Sequence, residues 1–321
     1  MTNETSTRIR QVHQVPAALI AAALIAASCG SNPQGFQPWP DGAEYYIGSP
    51  APHSDTALAF NPGGNVLLFC SDYSGNPGIY GYSYGSDPSL RTFSNLDESN
   101  GPNGCWSDAV GGEVGKIIYS AIRNDNSTEI RWIQGNLADV HLFLYDSLEH
   151  RHPSWNPGAD SVIMSTFDNG AWGLWITAFD EVSPTPLFTP GGVDCLMPSY
   201  SPDGDWIIFE RRESGQSDIW VVRPDGSDAH EVVGGSSNDM HPCWGHGGGW
   251  FTFSSDRTGN FEIWVGNTGT GDLFKVTDDP ADDIYPAWNP VSDWIAFSSD
   301  RRDPGASYDI FWITPPLPDR F

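Results

Sequence analysis

Pro198-Ser-Tyr200-Ser-Pro-Asp-Gly204, followed by Trp206-Ile-Ile-Phe209 and then Asp218-Ile-Trp220, decides the fold. Pro-Asp-Gly is turn chemistry: Pro presets φ, Asp bonds its own backbone, and Gly accepts a left-handed conformation. On either side of it stand short runs rich in aromatic and β-branched residues, the composition of strands. The stretch therefore predicts a strand, a tight turn, a second strand and, after a polar link, a third.

The same pattern recurs along the chain. Leu58-Ala-Phe60-Asn-Pro-Gly-Gly, Gly104-Cys-Trp106-Ser-Asp, Pro153-Ser-Trp155-Asn-Pro-Gly-Ala, Pro242-Cys-Trp244-Gly-His-Gly-Gly and Pro286-Ala-Trp288-Asn-Pro-Val-Ser align with it, the aromatic returning every 44 to 49 residues. Nine residues later comes Phe69, Met164, Phe209, Phe253 or Phe297; the second copy needs 13 to reach Tyr119, an insertion within Ser107 to Gly115. A third signature follows at Ile79-Tyr80, Ile130-Arg-Trp132, Leu174-Trp175, Ile219-Trp220, Ile263-Trp264 and Ile310-Phe311. A fourth run, such as Leu187-Phe-Thr189 or Phe274-Lys-Val-Thr277, completes five of the six units. Repeats of this length with four short strands each predict an all-β, six-bladed β-propeller of four-stranded antiparallel blades. A single four-stranded sheet cannot bury either apolar face alone, so the blades must stack. The sixth unit stops after Ile313, and Thr314-Pro-Pro-Leu-Pro-Asp-Arg-Phe321 is too Pro-rich for a paired strand. Tyr45-Tyr46-Ile47 is expected to supply the missing strand as an N-terminal latch.

On Pro198 to Gly204, Phe253-Ser-Ser-Asp-Arg257, Phe297-Ser-Ser-Asp-Arg301 and Asp309-Ile-Phe311, residues 45 to 316 resemble the WD-like propeller repeats of the TolB family. The resemblance implies the fold and a binding surface. That family's soluble periplasmic type member carries an additional N-terminal α/β domain, which residues 30 to 44 cannot hold. Peptidases of the prolyl oligopeptidase kind also use such repeats, but with a hydrolase domain for which no chain remains.

Composition agrees with an all-β reading. Of 321 residues, 35 are Gly and 26 Pro, both unfavourable in helix interiors, and 13% are aromatic. Forty-one Asp plus Glu against 15 Lys plus Arg give a net charge of -26, which repels nucleic-acid phosphates and anionic lipid headgroups. Cationic partners or divalent ions suit it better, and a salt-adapted environment would explain it equally.

Residues 1–28 read as a leader, with Arg8 and Arg10 before a short apolar stretch from Val15 to Ala27 that is too short to span a membrane. Ile25-Ala-Ala-Ser-Cys29-Gly resembles the lipobox of bacterial lipoproteins, which implies lipidation of Cys29; an ordinary secretory signal is the alternative. Residues 29–44, with Pro33, Pro38 and Pro40, then form a lipid-anchored Pro/Gly-rich tether, and residues 45–321 the propeller. With Gly30 after Cys29 the resemblance implies export to the bacterial envelope, at the outer membrane, with the lipid as the sole membrane contact. Cys70, Cys105, Cys195 and Cys243 allow three disulfide pairings, none selected by the sequence.

Candidate chemistry is sparse. Gly81-Tyr-Ser83-Tyr-Gly85 fits the nucleophile-elbow pattern but lies on a third strand, without the helix that motif requires. His152 and His241 both stand three residues before the blade aromatic, where Met197 and Tyr285 stand in other blades. Facing a common channel mouth, they are weak candidates for a divalent metal, aided by His150, Asp239 or Asp194, as in propeller-type oligogalacturonate lyases. Asp239, Asp282 and Asp283, with Asp256, Asp300 and Asp72, fall on loops expected at one face, where carboxylates could hold Ca²⁺. Glu129, Asp218, Glu262 and Asp309 each immediately precede a third-strand Ile, and a repeat position is architecture rather than a site.

Two readings compete. One is a non-catalytic envelope lipoprotein whose propeller face, through His152, His241, Asp239, Asp282 and Asp283, binds a protein, peptide or glycan. The other is a metal-dependent carbohydrate-active enzyme of the oligogalacturonate lyase type acting in the channel.

Overall fold

The structure, a computed structural model, describes residues 43–47, 54–72, 78–83, 89–92, 100–106, 115–123, 125–134, 140–247 and 249–315, with only the backbone course for 44–47, 89–92 and 100–106. The leader, Cys29 and the tether lie outside the described residues, as does the side chain of Cys105.

Each repeat folds into one antiparallel sheet. The first contains β2 (Asp55–Phe60), β3 (Val66–Ser71), β4 (Gly78–Ser83) and β5 (Ser89–Thr92), paired in that order; β1 (Glu44–Ile47) belongs elsewhere. The second contains β6 (Asn100–Trp106), β7 (Lys116–Ile122), β8 (Thr128–Gln134) and β9 (Val140–Leu144). The third contains β10 (Glu149–Trp155), β11 (Ser161–Asp168), β12 (Ala171–Ala178) and β13 (Thr185–Phe188). The fourth contains β14 (Asp194–Tyr200), β15 (Ile207–Glu213), β16 (Gln216–Val222) and β17 (His230–Val233). The fifth contains β18 (Asp239–Trp244), β19 (Trp250–Ser255), β20 (Glu262–Asn267) and β21 (Leu273–Lys275). The sixth runs β22 (Asp283–Trp288), β23 (Ile295–Ser299), β24 (Asp309–Ile313) and then β1, so the N-terminal strand supplies its fourth member. Tyr45 lies opposite Phe311 and Ile47 opposite Ile310 across a bulge.

The cores lie between sheets. Ile263 and Val265 of the fifth sheet pack with Trp288, Phe297 and Phe311 of the sixth, and Leu67, Phe69 and Tyr82 of the first pack with Ala296 and Ile310 of the sixth. Four further clusters join the remaining neighbours in turn. The second strands begin in short apolar stretches without alternation because both of their faces meet a neighbouring sheet, as in β23, where all five residues, two serines included, are buried. Innermost strands pack in the cyclic order β2, β6, β10, β14, β18, β22 and back to β2, a propeller-like arrangement of six separate sheets. Trp155, Tyr200, Trp244 and Trp288 fill four of these seams. A Cβ on Gly245 would come within 2.8 Å of the Trp288 ring, so glycine there lets the fifth sheet approach the indole.

The seam between the sixth and first sheets differs from the others. Asp55 opens β2 five residues before its aromatic, as Asp239 and Asp283 do, and its N–H donates to the carbonyl of Tyr308 at 2.8 Å. The arginine that follows the second strand in the fifth and sixth repeats is Tyr73 in the first. Asp55 is buried and its Oδ1 has no hydrogen-bond partner. Burial pushes its carboxyl well above the ordinary range, with Asp309 and Asp72 adding to the effect and a bond to Ser71 opposing it. A folded-state pKa raised above the unfolded value contributes stability that is present below about pH 4 and is lost as pH rises toward the folded value. Asp55→Asn should therefore stabilise the protein at pH 7 by about 1–3 kcal/mol and flatten the pH dependence of its urea midpoint between pH 4 and 7. A variant less stable than the parent at pH 7 would contradict this account.

Candidate functional site in the central cavity

Every innermost strand whose side chains are described breaks register with its neighbour at the same place, three residues before the blade aromatic. Ala57, His152, Met197, His241 and Tyr285 occupy that place, each with φ between 52° and 57°. Non-glycine residues adopt this left-handed region at a cost, and a bulge re-aims the side chain it carries. In four of these strands the next residue is Pro153, Pro198, Pro242 or Pro286. Proline is tolerated in these strands because they are edges, and it removes an N–H from each.

The five bulge residues line a cavity of about 410 Å³ enclosed by the innermost strands. Its wall continues through Phe60, Trp155, Tyr200, Trp244 and Trp288 to Pro62, Pro157, Pro202 and Pro290. Among the described residues, its lining includes no Asp, Glu, Lys or Arg.

His152, 9% exposed, has Nδ1 3.4 Å from the Ser165 hydroxyl and accepts the N–H of Met197 at 3.4 Å. A nitrogen that accepts is unprotonated, which assigns the proton to Nε2. Burial, then the charges of Arg151 and Arg212, lower the pKa of His152 to about 3. His241 lies with Nδ1 3.4 Å from the Ser254 hydroxyl and stacks on Tyr285, ring centroids 3.9 Å apart. Burial, then His152 and Arg212, also bring it to about 3. Burial, with Glu210 and Cys70 adding to it, raises the Tyr285 phenol to about 12. At neutral pH all three rings are uncharged hydrogen-bonding groups.

Both histidines thus line the same cavity. The acids are placed differently again. Asp239 and Asp283 are fully buried, and each is paired with the arginine after the second strand of its own sheet, Arg257 at 2.8 Å and Arg301 at 2.6 Å. Burial raises Asp283 to about 7 although Arg301 opposes it. Asp282 accepts the N–H of Phe261 at 3.0 Å, tying the fifth sheet to the sixth, while its own N–H donates to Asp300 at 2.9 Å. Asp239 and Asp283, expected on loops at one face, are thus buried at the starts of β18 and β22, and half-buried Asp282 bridges two sheets: these acids hold strands together. The signal was in the sequence, since Asp239 precedes Arg257 by the same 18 residues that separate Asp283 from Arg301.

The other repeated acids are similarly engaged. Glu129 bonds Arg131 and Arg123, Glu262 meets Lys275 at 3.1 Å, and Asp309 meets Arg302 at 3.3 Å. Arg212, which acts on both imidazoles, is paired with the buried Glu210 at 2.7 Å and with Ser217 at 3.2 Å. His150 bonds Thr166 and Asp146, at 3.0 and 2.9 Å. Asp194 accepts the Trp172 N–H at 2.9 Å. Ser83 ends β4, whose residues pair with both neighbours in register. Among the described residues no group of three or more His, Cys, Asp or Glu side chains converges as a metal site. No disulfide joins Cys70, Cys195 and Cys243 to one another. Among the described residues no helix is long and apolar enough to cross a membrane.

Sequence reasoning found the histidines and noted Met197 and Tyr285, but missed the cavity wall. Its signal was the recurrent Pro beside the bulge position and the second Pro two residues after four of the aromatics.

No protein-family model matches this chain, and no curated protein matches it in sequence. Solved structures match its fold. A provisionally assigned TolB from Agrobacterium tumefaciens is 19% identical, with a TM-score of 0.62, over 84% of this chain and 94% of that one. TolB from Acinetobacter baumannii is 16% identical, with a TM-score of 0.63, over 78% of this chain and 61% of that one, so the match spans less than two thirds of that protein. An oligogalacturonate lyase in complex with manganese is 14% identical, with a TM-score of 0.57, over 88% of this chain and 95% of that one. At these identities the likeness is one of fold: a propeller-like scaffold of the kind that serves both binding proteins and enzymes.

Proposed function

We propose that this is a non-catalytic cell-envelope lipoprotein, anchored through Cys29, whose six-bladed propeller binds a protein, peptide or glycan at its central channel. Residues 1–28 are then the leader, 29–44 the tether and 45–321 the binding domain. One observation carries the reading: Asp239, Asp283, Arg257 and Arg301 are committed to blade construction, while the described residues that line the cavity at the axis are uncharged groups. A rigid scaffold with a concave, mostly apolar pocket and a few convergent polar groups is the usual form of a binding site. The likeness to TolB structures supports the scaffold. The lyase reading is weakened, since among the described residues no metal-ligating cluster forms and no Lys or Arg lines the cavity to meet a substrate carboxylate.

The test uses the full-length protein in the bacterium it comes from. The parent should partition into detergent with an acyl label, and Cys29→Ala should lose both. A photo-reactive residue replacing Pro157, exposed at the cavity mouth, should give adducts that the same residue at Leu142, on the outer edge, does not. Aqueous partitioning of the unlabelled parent would end the lipoprotein reading; adducts only from position 142 would end the channel reading.

A further inference from the structure

We propose that the central cavity receives the end of an uncharged oligosaccharide, an assignment that rests on the binding reading and names its ligand class. The wall decides against charge. A carboxylate or ammonium entering would lose its water with no counter-ion among the described lining residues, and an unpaired buried charge is costly. In a chain of net charge -26, a recess whose described lining holds no Asp or Glu is suited to neutral ligands.

The polar groups that remain suit hydroxyls. His152 offers Nε2–H, and His241, the Tyr285 hydroxyl, Ser154, Ser199 and Asn156 add neutral donors and acceptors within one cavity. Hydroxyls both donate and accept, so a sugar can meet such a mixed set without leaving a group unsatisfied. Between these groups the wall is aromatic and proline surface, which packs against the C–H face of a pyranose ring. The volume of about 410 Å³ lies within the range of small-molecule sites, roughly 300–1,000 Å³.

An extended peptide is the competing occupant, and the innermost strands argue against it. A peptide adding to a sheet edge draws its affinity from a ladder of backbone hydrogen bonds. Pro153, Pro198, Pro242 and Pro286 each delete an N–H from the strand that would have to supply that ladder, and the bulge beside each breaks its register.

The experiment is calorimetry and ligand-observed NMR on the purified protein with cellobiose, maltose, N,N′-diacetylchitobiose, digalacturonate and a proline-rich decapeptide. At least one neutral disaccharide should bind. His241→Phe, which keeps the stack on Tyr285 but removes the ring nitrogens, should weaken it about tenfold. Met197→Trp, which fills the cavity from a position already lining it, should abolish binding while leaving the melting temperature unchanged. Failure of all three neutral sugars, tighter binding of digalacturonate or of the peptide, or neutral-sugar binding that survives Met197→Trp would each overturn the assignment. If the adducts at position 157 persist while no sugar binds, only the ligand class fails; if both are lost, the binding reading falls with it.

Discussion

Replacing Arg301 with leucine is expected to destabilise the protein by about 3–5 kcal/mol at neutral pH, the cost of stranding one member of a buried ion pair. Both side chains are inaccessible to solvent. The guanidinium bonds Asp283 at 2.6 Å and Ser299 at 2.9 Å and lies over the rings of Phe297 and Phe311, at 5.3 and 4.9 Å. Leucine keeps apolar contact with the rings and removes the charge. The effect should depend on pH. In the parent Asp283 already stands near 7, raised by burial, so its contribution to stability is full below about pH 4 and is lost as pH rises through about 7. Without Arg301 the folded-state pKa rises further and the loss continues to higher pH. The gap between variant and parent, read from urea midpoints, should therefore be wider at pH 8 than at pH 5. Asp283→Asn placed in the Arg301→Leu background should narrow it at pH 8. A gap that shrinks with rising pH would mean that the carboxylate has another partner.

That pair also shows what a sequence of this kind discloses. The fold was legible because blade construction repeats: the aromatic, a turn after it and the apolar second strand return six times, so chance is averaged out. The sixth sheet's missing strand was legible for the same reason, as a gap in a pattern that Tyr45 to Ile47 could fill. The site was less legible because it is made by what the repeats have in common rather than by what departs from them. Asp239 and Asp283 looked like candidates because they are acidic residues near a loop, and only their burial against Arg257 and Arg301 shows them as structural. His152 and His241 stood out as a residue type, yet their neutral state depends on a burial that no local pattern encodes. The cavity arises where five bulges from distant parts of the chain meet, and left-handed φ at His, Met, Ala and Tyr is not announced by those residues as it would be by glycine.

Deleting residues 43–47 should have the largest effect of all, abolishing the cooperative transition or leaving an aggregating species. The strand β1 is short, but its pairing of Tyr45 with Phe311 joins parts of the chain separated by nearly its whole length, and the entropic cost of closing so long a loop has to be offset by native contacts of the kind the deletion removes. Without it, β24 becomes a free edge whose Ile310 and Phe311 are fully buried in the intact protein, a template for pairing with another molecule. Ala43, buried against the cluster of Val276, Trp288 and Phe311, would be lost with it. The sixth sheet's other seam, against the first sheet, already holds the unpartnered Oδ1 of Asp55, so the deletion would leave the sixth sheet weakened on both faces. Calorimetry and light scattering on the truncated protein decide the matter, and combining the deletion with Asp55→Asn should recover part of the lost stability at pH 7. An unchanged melting transition in a monomeric truncated protein would show that packing of β22 against β2 closes the ring by itself, and that the N-terminal strand is an ornament on the sixth sheet.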